Sequence, residues 1–372
     1  MDTEKKMELV MRWPTEEVLV PDELKELFET GIKLKHYIGF EISGRPHIGS
    51  GIGCMLKVAD LQKAGVNCSI FLADWHAWMN NKLGGDVENI KKAISYYKEA
   101  FKAGLKAVGG NPEKIKFVTG SEIYHNNDDY WREVIEVSKN ISIGRIMRSI
   151  TIMGRKEKEL TSFAQLIYPP MQVADIFIQG INIAHAGTDQ RKAHVIAREV
   201  ATKLEVSPLL AKKKKIKPVA LHHHLWLGLQ KPPIWPLSPD KKQELWAAMK
   251  MSKSKPKSAV FLNDSPEEIR DKIKHAFCPE KITEFNPVID WARNVAFRKG
   301  PFRIKRPEKF GGELVLEDFS ELKKVYSKGD LHPVDLKNAM AELLTDLLKP
   351  VREHFRNKQA LIKMFDKFKI TR

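Results

Sequence analysis

The sequence predicts an α/β protein, with a mainly parallel sheet covered by helices and a mainly helical C-terminal part. Three observations carry that prediction. Short apolar runs alternate with stretches of helical spacing through the first two thirds of the chain, the pattern of a parallel sheet held between helices. A glycine-rich turn, Ile42-Ser43-Gly44-Arg45-Pro46-His47-Ile48-Gly49-Ser50-Gly51, separates the first such run from the helix after it, as in the opening half of a nucleotide-binding unit. Beyond Pro256 the chain changes to capped helices and turns.

Composition bounds the class. With 372 residues the chain has room for two or three domains. Hydrophobic content of 42% and charged content of 30% describe an ordinary globular protein. No window approaches about 18 apolar residues, so no membrane-spanning helix is expected. Residues 1–6 carry no apolar leader, and Cys54, Cys68 and Cys278 are scattered outside metal-ligand spacing. Reduced thiols and a cytoplasmic location follow. Lys and Arg number 63 against 47 Asp and Glu, a net charge of +16, which favours a polyanionic partner, nucleic acid before membrane.

Residues 1–35 read as a helical arm, with Pro21-Asp22 opening a helix over 23–30. Residues 37–41 form a short apolar run, expected as the first buried strand, and helical spacing returns over 54–64. The helix N-terminus between them offers free N–H groups and a positive dipole end to phosphate. His47 adds a donor there, and Gly49 lets a nucleotide lie against the backbone. Residues 68–74 read as a second strand, an amphipathic helix is expected over 86–105, and residues 115–118 read as a third strand. Strand ends are where such sheets place ligand contacts, which makes His76 a pocket candidate. Residues 129–153 read as paired helices whose surface serves either a dimer interface or RNA.

The run Tyr168-Pro169-Pro170-Met171-Gln172-Val173-Ala174-Asp175 predicts a helix beginning at Pro169 or Pro170, since proline suits a first turn. Gln172 and Asp175 then share one face, with Tyr168 alongside. An ionised Asp among apolar neighbours is costly unless something pairs with it, so this face reads as a pocket for a small polar ligand. A strand over 181–186 leads into Gly187-Thr188-Asp189-Gln190-Arg191-Lys192. Gly187 permits close approach of a ribose, Asp189 can accept from its hydroxyls, and Arg191-Lys192 bring positive charge to a helix over 190–204. Lys212 to Lys215 read as an exposed loop, and residues 218–221 as the last core strand. His222-His223-His224 lie in an extended stretch with no cysteine or carboxylate cluster beside them, so a metal is not expected there.

Lys250-Met251-Ser252-Lys253-Ser254-Lys255, followed by Pro256, places compact charges on flexible stems with small hydroxyl residues between. Such a loop suits a polyphosphate whose charge moves during reaction.

Taken in order, Tyr37, His47-Ile48-Gly49-Ser50, Tyr168, Gln172, Asp175, Gln190-Arg191-Lys192 and Lys250-Met251-Ser252-Lys253-Ser254 resemble the class I aminoacyl-tRNA synthetases. More narrowly they resemble the tyrosyl type of archaea and eukaryotes. The resemblance implies a Rossmann-like catalytic domain over 36–256 with a helical insertion near 120–160, and an anticodon-binding domain over 257–372. It implies that L-tyrosine is activated by ATP, with Mg²⁺ on the triphosphate, and passed to tRNA(Tyr) by a homodimer.

In that scheme His47, Ser50, Lys250 and Lys253 are catalytic, and Gly44, Gly49, Gly187, Asp189, Ser252 and Ser254 complete the ATP contacts. Tyr37 and Asp175 read the phenol, Tyr168, Gln172 and Gln190 hold the ammonium and backbone of the amino acid, and His76 lines the same pocket. Arg191 and Lys192 meet the acceptor stem. Phe310 and His332 stack on the first anticodon base while Asp335 reads its edge. No protein-ligated metal is expected.

One residue departs from the pattern: Ser50 stands where the class usually has a second histidine, a hydroxyl in place of a cation. A tryptophanyl enzyme would share fold and signatures but not the pair Tyr37 and Asp175. A non-catalytic RNA-binding paralogue would not need an intact Lys250–Ser254, and a generic nucleotidyltransferase would not need the C-terminal part.

Overall fold

The computed structural model describes residues 1–155, 159–235, 246, 248–253 and 255–371. The chain forms two compact units, one of Met1–Gly44, Cys54–His224 and Lys363–Arg372, the other of Arg45–Gly53 and Leu225–Ile362. The break after Pro256 expected from composition is therefore not where the contacts divide the chain. Residues 225–256 and the turn 45–53 group with the C-terminal residues up to Ile362.

The first unit is built on a six-stranded sheet in the order β1-β8-β5-β2-β3-β4. Its strands are β1 (Thr15–Val18), β2 (Lys35–Glu41), β3 (Asn67–Ala73), β4 (Ile115–Thr119), β5 (Ile183–Gly187) and β8 (Val219–His223). All neighbours pair in parallel except β1, which lies antiparallel on β8. All five residues of β5 and of β8 are buried, as are the last six of β3, which is why they read as continuous apolar runs. The chain builds outward from β2 through β3 to β4, then returns to the other side of β2 with β5. The carboxyl ends of β2 and β5 thus flank a topological switch point, the place where such sheets bind ligands.

The helices of this unit are α1 (Thr3–Met11), α2 (Pro21–Glu29), α3 (Cys54–Lys63), α4 (Asp74–Met79), α5 (Val87–Ala107), α6 (Gly120–Tyr124), α7 (Asp128–Lys139), α8 (Ile143–Ser149), α9 (Ala164–Ile178) and α10 (Arg191–Val200). Three expectations change. The N-terminal arm is not wholly helical, because Thr15–Val18 pairs with β8 and buries its two ends. Helix α9 begins at Ala164, so both prolines lie inside it. Its first turn is held by the buried Gln165, whose Oε1 accepts from the amides of Thr161 and Ser162, so a local side-chain cap starts the helix one turn before the prolines. Lys212 and Lys213 adopt left-handed backbone and turn a short hairpin, β6 (Leu210–Ala211) with β7 (Lys214–Lys215), where a plain loop was expected.

Lys57 on α3 is fully buried, yet its ammonium donates to the carbonyls of Leu9, Val10 and Arg12 at 2.7–3.0 Å. It thereby satisfies the orphan acceptors at the end of α1 and fastens the arm to α3.

A seam of histidines crosses the sheet. His36 Nε2 meets His185 Nδ1 at 3.0 Å, His185 Nε2 meets His223 Nδ1 at 2.8 Å, and His223 Nε2 meets Cys54 Sγ at 3.5 Å. Beside it, His194 Nδ1 meets His222 Nε2 at 3.1 Å, and His222 Nδ1 meets Glu17 on β1 at 2.8 Å. His224 Nδ1 meets Glu16. The triplet His222-His223-His224 is thus spent on neighbouring strands and on β1. Burial holds His36 down to about 3 and His223 down to about 4, so both rings are neutral.

The second unit contains the helices Pro266–Lys274, Pro287–Val295, Phe319–Lys328 and Pro333–His354, with a two-stranded sheet of β9 (Phe302–Ile304) and β10 (Leu314–Leu316). The capping pattern at Ser265 is realised as a reciprocal box with Glu268. Asn286, Asp318 and His332 cap the other three helices. Among the described residues no helix is long and apolar enough to cross a membrane.

Candidate active site

Two clusters of predicted site residues form, one in each unit. In the second unit, Gly49–Gly53 makes a π-helical turn. A Cβ on Gly51 would sit 2.4 Å from Leu262, and one on Gly53 2.7 Å from the Trp226 indole, so both glycines answer to packing. The expected free amides are largely used: the Ile48 N–H donates to Val260, and the Gly51 N–H to His47 O. The Ser50 N–H donates to His47 Nδ1 at 3.3 Å. With Nδ1 accepting, the proton of the neutral ring belongs on Nε2. Burial, then the charges of Lys253 and Lys250, press the His47 ring down to about 3. It is a hydrogen-bond donor and not a cation, and both lysines are close enough to act on it. The Ser50 hydroxyl donates to His47 O at 3.0 Å, a local bond that compensates for a smaller side chain in the signature.

The lysine loop is pinned by alternation. Met249 and Met251 are buried, while Lys250 between them and Ser252 and Lys253 after them are half-buried and Lys255 is exposed. Lys250 bridges to Leu227, and the Met251 N–H donates to Trp226 O. Methionine anchors on one side leave the lysine stems on the other. Ser254 lies outside the described residues.

In the first unit, Asp175 on α9 is 1% exposed. Its Oδ1 accepts from the Tyr124 hydroxyl at 3.0 Å, and its Oδ2 has no hydrogen-bond partner. Burial raises its carboxyl well above the usual carboxylate range. His76 Nε2 stands 3.8 Å from Oδ2, and its ring, pushed down to about 3 by burial, is neutral. Tyr37 on β2 is also buried, and its phenol is raised by burial and then by the Asp175 charge; its ring lies 6.2 Å from that of Phe71, which lies 6.4 Å from that of His76. Tyr168 stands edge-on to His76 at 4.4 Å. Gln172 Nε2 donates to Gln190 Oε1 at 3.1 Å, and Gln190 in turn donates to Ile152 O. The Oε1 of Gln172 remains without a partner in the interior. Contacts thus join Tyr168, His76 and Asp175 in one group and Gln172 with Gln190 in another, with orphaned acceptors in both.

Gly44, also in this unit, has its carbonyl held by the Tyr97 hydroxyl at 2.7 Å. Gly187 ends β5, and Asp189 follows in a single turn; its charge bears on Tyr168 and His223. Arg191 is gripped by both oxygens of Glu17, and Lys192 donates to Arg148 O and Thr151 Oγ1. Phe310 is 59% exposed with Lys309 over its ring at 5.0 Å. His332 caps the helix that carries Asp335, accepting from the Val334 N–H.

Sequence reasoning missed two residues. Tyr124 comes from the five-residue helix α6, too short to show a period. Glu41 ends β2, faces Tyr168 electrostatically, accepts from Asn80 Nδ2 at 2.8 Å and lies 3.6 Å from Lys82 Nζ. Its place at a strand end was the available signal.

Residues 30–349 match the family described as tRNA synthetases class I (W and Y). The chain is 57% identical to a tyrosine–tRNA ligase of Thermococcus sibiricus over 376 aligned residues, covering all of both chains. It also matches the crystal structure of a tyrosyl-tRNA synthetase from Pyrococcus horikoshii complexed with L-tyrosine, with TM-score 0.96 and 52% identity, covering 99% of this chain and 100% of that one. A tryptophanyl-tRNA synthetase from Aeropyrum pernix, at 18% identity and TM-score 0.65 over 92% of this chain and 84% of that one, shares the fold alone.

Proposed function

The chain belongs to the class I tRNA synthetases of the tryptophan and tyrosine kind and has the activity of a tyrosine–tRNA ligase; from that premise we propose how its residues divide the work. The observation that carries the assignment is Asp175 Oδ2, buried and unpartnered beside Tyr37. A phenol hydroxyl donates to that oxygen and accepts from Tyr37, whereas phenylalanine leaves both polar groups unpaired. Discrimination of this sort has its standard illustration in enzymes of this type.

Tyr168, Gln172 and Gln190 orient the amino-acid backbone, with Glu41 facing the ammonium, and His76 packs on Tyr168 to close the pocket. The tyrosine carboxylate attacks the α-phosphorus of ATP, the bond to the bridging oxygen breaks, and pyrophosphate leaves. A ribose hydroxyl of the terminal adenosine of tRNA then attacks the carbonyl of tyrosyl-adenylate and AMP departs. No side chain forms a covalent intermediate, so the protein contributes position and charge.

His47 donates from Nε2 to the triphosphate, and Lys250 and Lys253 neutralise the leaving pyrophosphate. Ser50, Ser252 and Gly49 shape the loops, Ser254 adds a hydroxyl toward ATP, and Gly44, Gly187 and Asp189 take the nucleoside. Mg²⁺ arrives on the phosphates of ATP.

Arg191 and Lys192 meet the acceptor stem, and Phe310, His332 and Asp335 read the anticodon. Residues 36–256 then carry catalysis and 257–372 the reading of the anticodon, a division of labour that does not coincide with the two compact units. Ile135 and Ile143, 60% and 82% exposed on α7 and α8, support a homodimer through the insertion; a monomeric sedimentation coefficient would refute it. Charging of tRNA places the enzyme in the cytoplasm, which cell fractionation checks.

The test is pyrophosphate exchange into ATP with tyrosine, tryptophan and phenylalanine in turn. Exchange with tyrosine alone is expected, and exchange with tryptophan would overturn the pocket assignment.

A further inference from the structure

The C-terminal segment returns to the sheet-bearing unit and touches two places that converge on the end of β2. Phe365, 5% exposed, packs against Tyr96 on α5 with ring centroids 5.0 Å apart. The next residue, Tyr97, places its hydroxyl on Gly44 O at 2.7 Å and receives the Ser43 N–H at 3.1 Å. Further on, Thr371 Oγ1 donates to Asn81 O, and Lys369 packs over Gly84.

The segment so touched is unusual. Asn81, Leu83, Gly84 and Gly85 all have left-handed backbone, two of them without being glycine. Non-glycine residues hold that conformation only where surrounding contacts impose it. Beside them, Asn80 is fully buried and donates from Nδ2 to Glu41 Oε1 and to Met153 O, while Arg155 donates to its side chain and carbonyl. Lys82 Nζ lies 3.6 Å from the other Glu41 oxygen.

We infer that residues 363–371 are a positioning strap: they hold the turn over residues 80–85, and through Asn80 and Lys82 they fix the Glu41 carboxylate at the substrate pocket. This rests on the reading of Glu41 given above. The strap touches neither substrate nor reacting atoms; it acts through the turn, and through α5 on Ser43 and Gly44.

The experiment uses the full chain carrying Phe365→Ala, Thr371→Val or both, with Phe365→Leu and Thr371→Ser as conservative controls. Amide hydrogen exchange over residues 80–85 and the KM and kcat of tyrosine-dependent pyrophosphate exchange are measured together. The double variant is expected to exchange faster there and to raise the KM for tyrosine roughly tenfold with a smaller change in kcat, the controls staying near the parent. Should Phe365→Ala not fold, Thr371→Val, which removes one exposed hydroxyl, decides alone. Parent-like exchange over 80–85, or faster exchange with an unchanged KM, overturns the strap. Glu41→Gln separates the two claims. If it leaves the KM for tyrosine unchanged, the role of Glu41 is wrong, while the exchange measurement still judges the hold of the tail on the turn.

Discussion

The Tyr124 hydroxyl donates to Asp175 Oδ1 at 3.0 Å and leaves Oδ2 as the acceptor without a partner. Tyr124 thus engages one oxygen of the Asp175 carboxyl and leaves open the other, which the proposed pocket offers to substrate. Tyr130 stacks on Tyr124 with centroids 4.3 Å apart and braces it.

Removing that single hydroxyl is therefore informative. Tyr124→Phe frees Oδ1 as a second acceptor and lets the carboxylate rotate. A hydrogen bond of this kind is worth about 0.5–1.5 kcal/mol net, so kcat/KM for tyrosine should fall roughly twofold to tenfold. The loss should appear as tyrosine selectivity over phenylalanine, with the KM for ATP unmoved. Unchanged selectivity would mean that Tyr124 only fills space.

A second expectation concerns pH and stability. Glu133 on α7 is fully buried and neither carboxylate oxygen has a hydrogen-bond partner. Burial, then the neighbouring Glu136, raises its carboxyl to about 7. The folded state then holds a proton that the unfolded chain releases near the ordinary value of 4.5. Its favourable contribution is complete below that value and is lost as pH climbs toward 7. The total is on the order of 2–3 kcal/mol. Relative to the parent, Glu133→Gln should gain stability progressively between pH 5 and pH 8, read as the difference in urea midpoint. A difference that does not vary with pH would show that Glu133 does not titrate in this range.

Much of the architecture could be read from residue order because it depends on local pattern. The buried runs of β2, β3, β5 and β8 announce themselves as apolar, and helix α5 begins at Asp86, whose side chain caps it. The residue patterns around His47 and Lys250 are equally visible, and the phosphate role proposed for them rests on their residue types and spacing. What stayed hidden depends mostly on partners far along the chain. Nothing near Gly51 reveals that Leu262 occupies the space of its missing side chain. Nothing near Thr15 reveals that β8 will take it as an edge strand. The prolines of α9 argued for a helix start that the buried Gln165 overrides. Tyr124 and Glu41 matter through neighbours 51 and 39 residues away, Asp175 and Asn80.

The seam of histidines has a consequence for the low-pH boundary of the enzyme. His36 and His223, and more strongly the central His185, are kept from protonating by burial, as is His194 against His222. Once unfolded, each ring binds a proton near its ordinary value of 6.5, so every step of acidification below that value rewards the unfolded chain, opposing the smaller effect of Glu133. Each proton taken up adds about 1.4 kcal/mol of slope per pH unit. Unfolding free energy should thus fall with a slope of several protons between pH 6 and pH 4. In the folded enzyme His47 stays neutral across that interval, since burial holds its ring down to about 3. Acid should therefore melt the sheet of this enzyme before it changes the charge of His47.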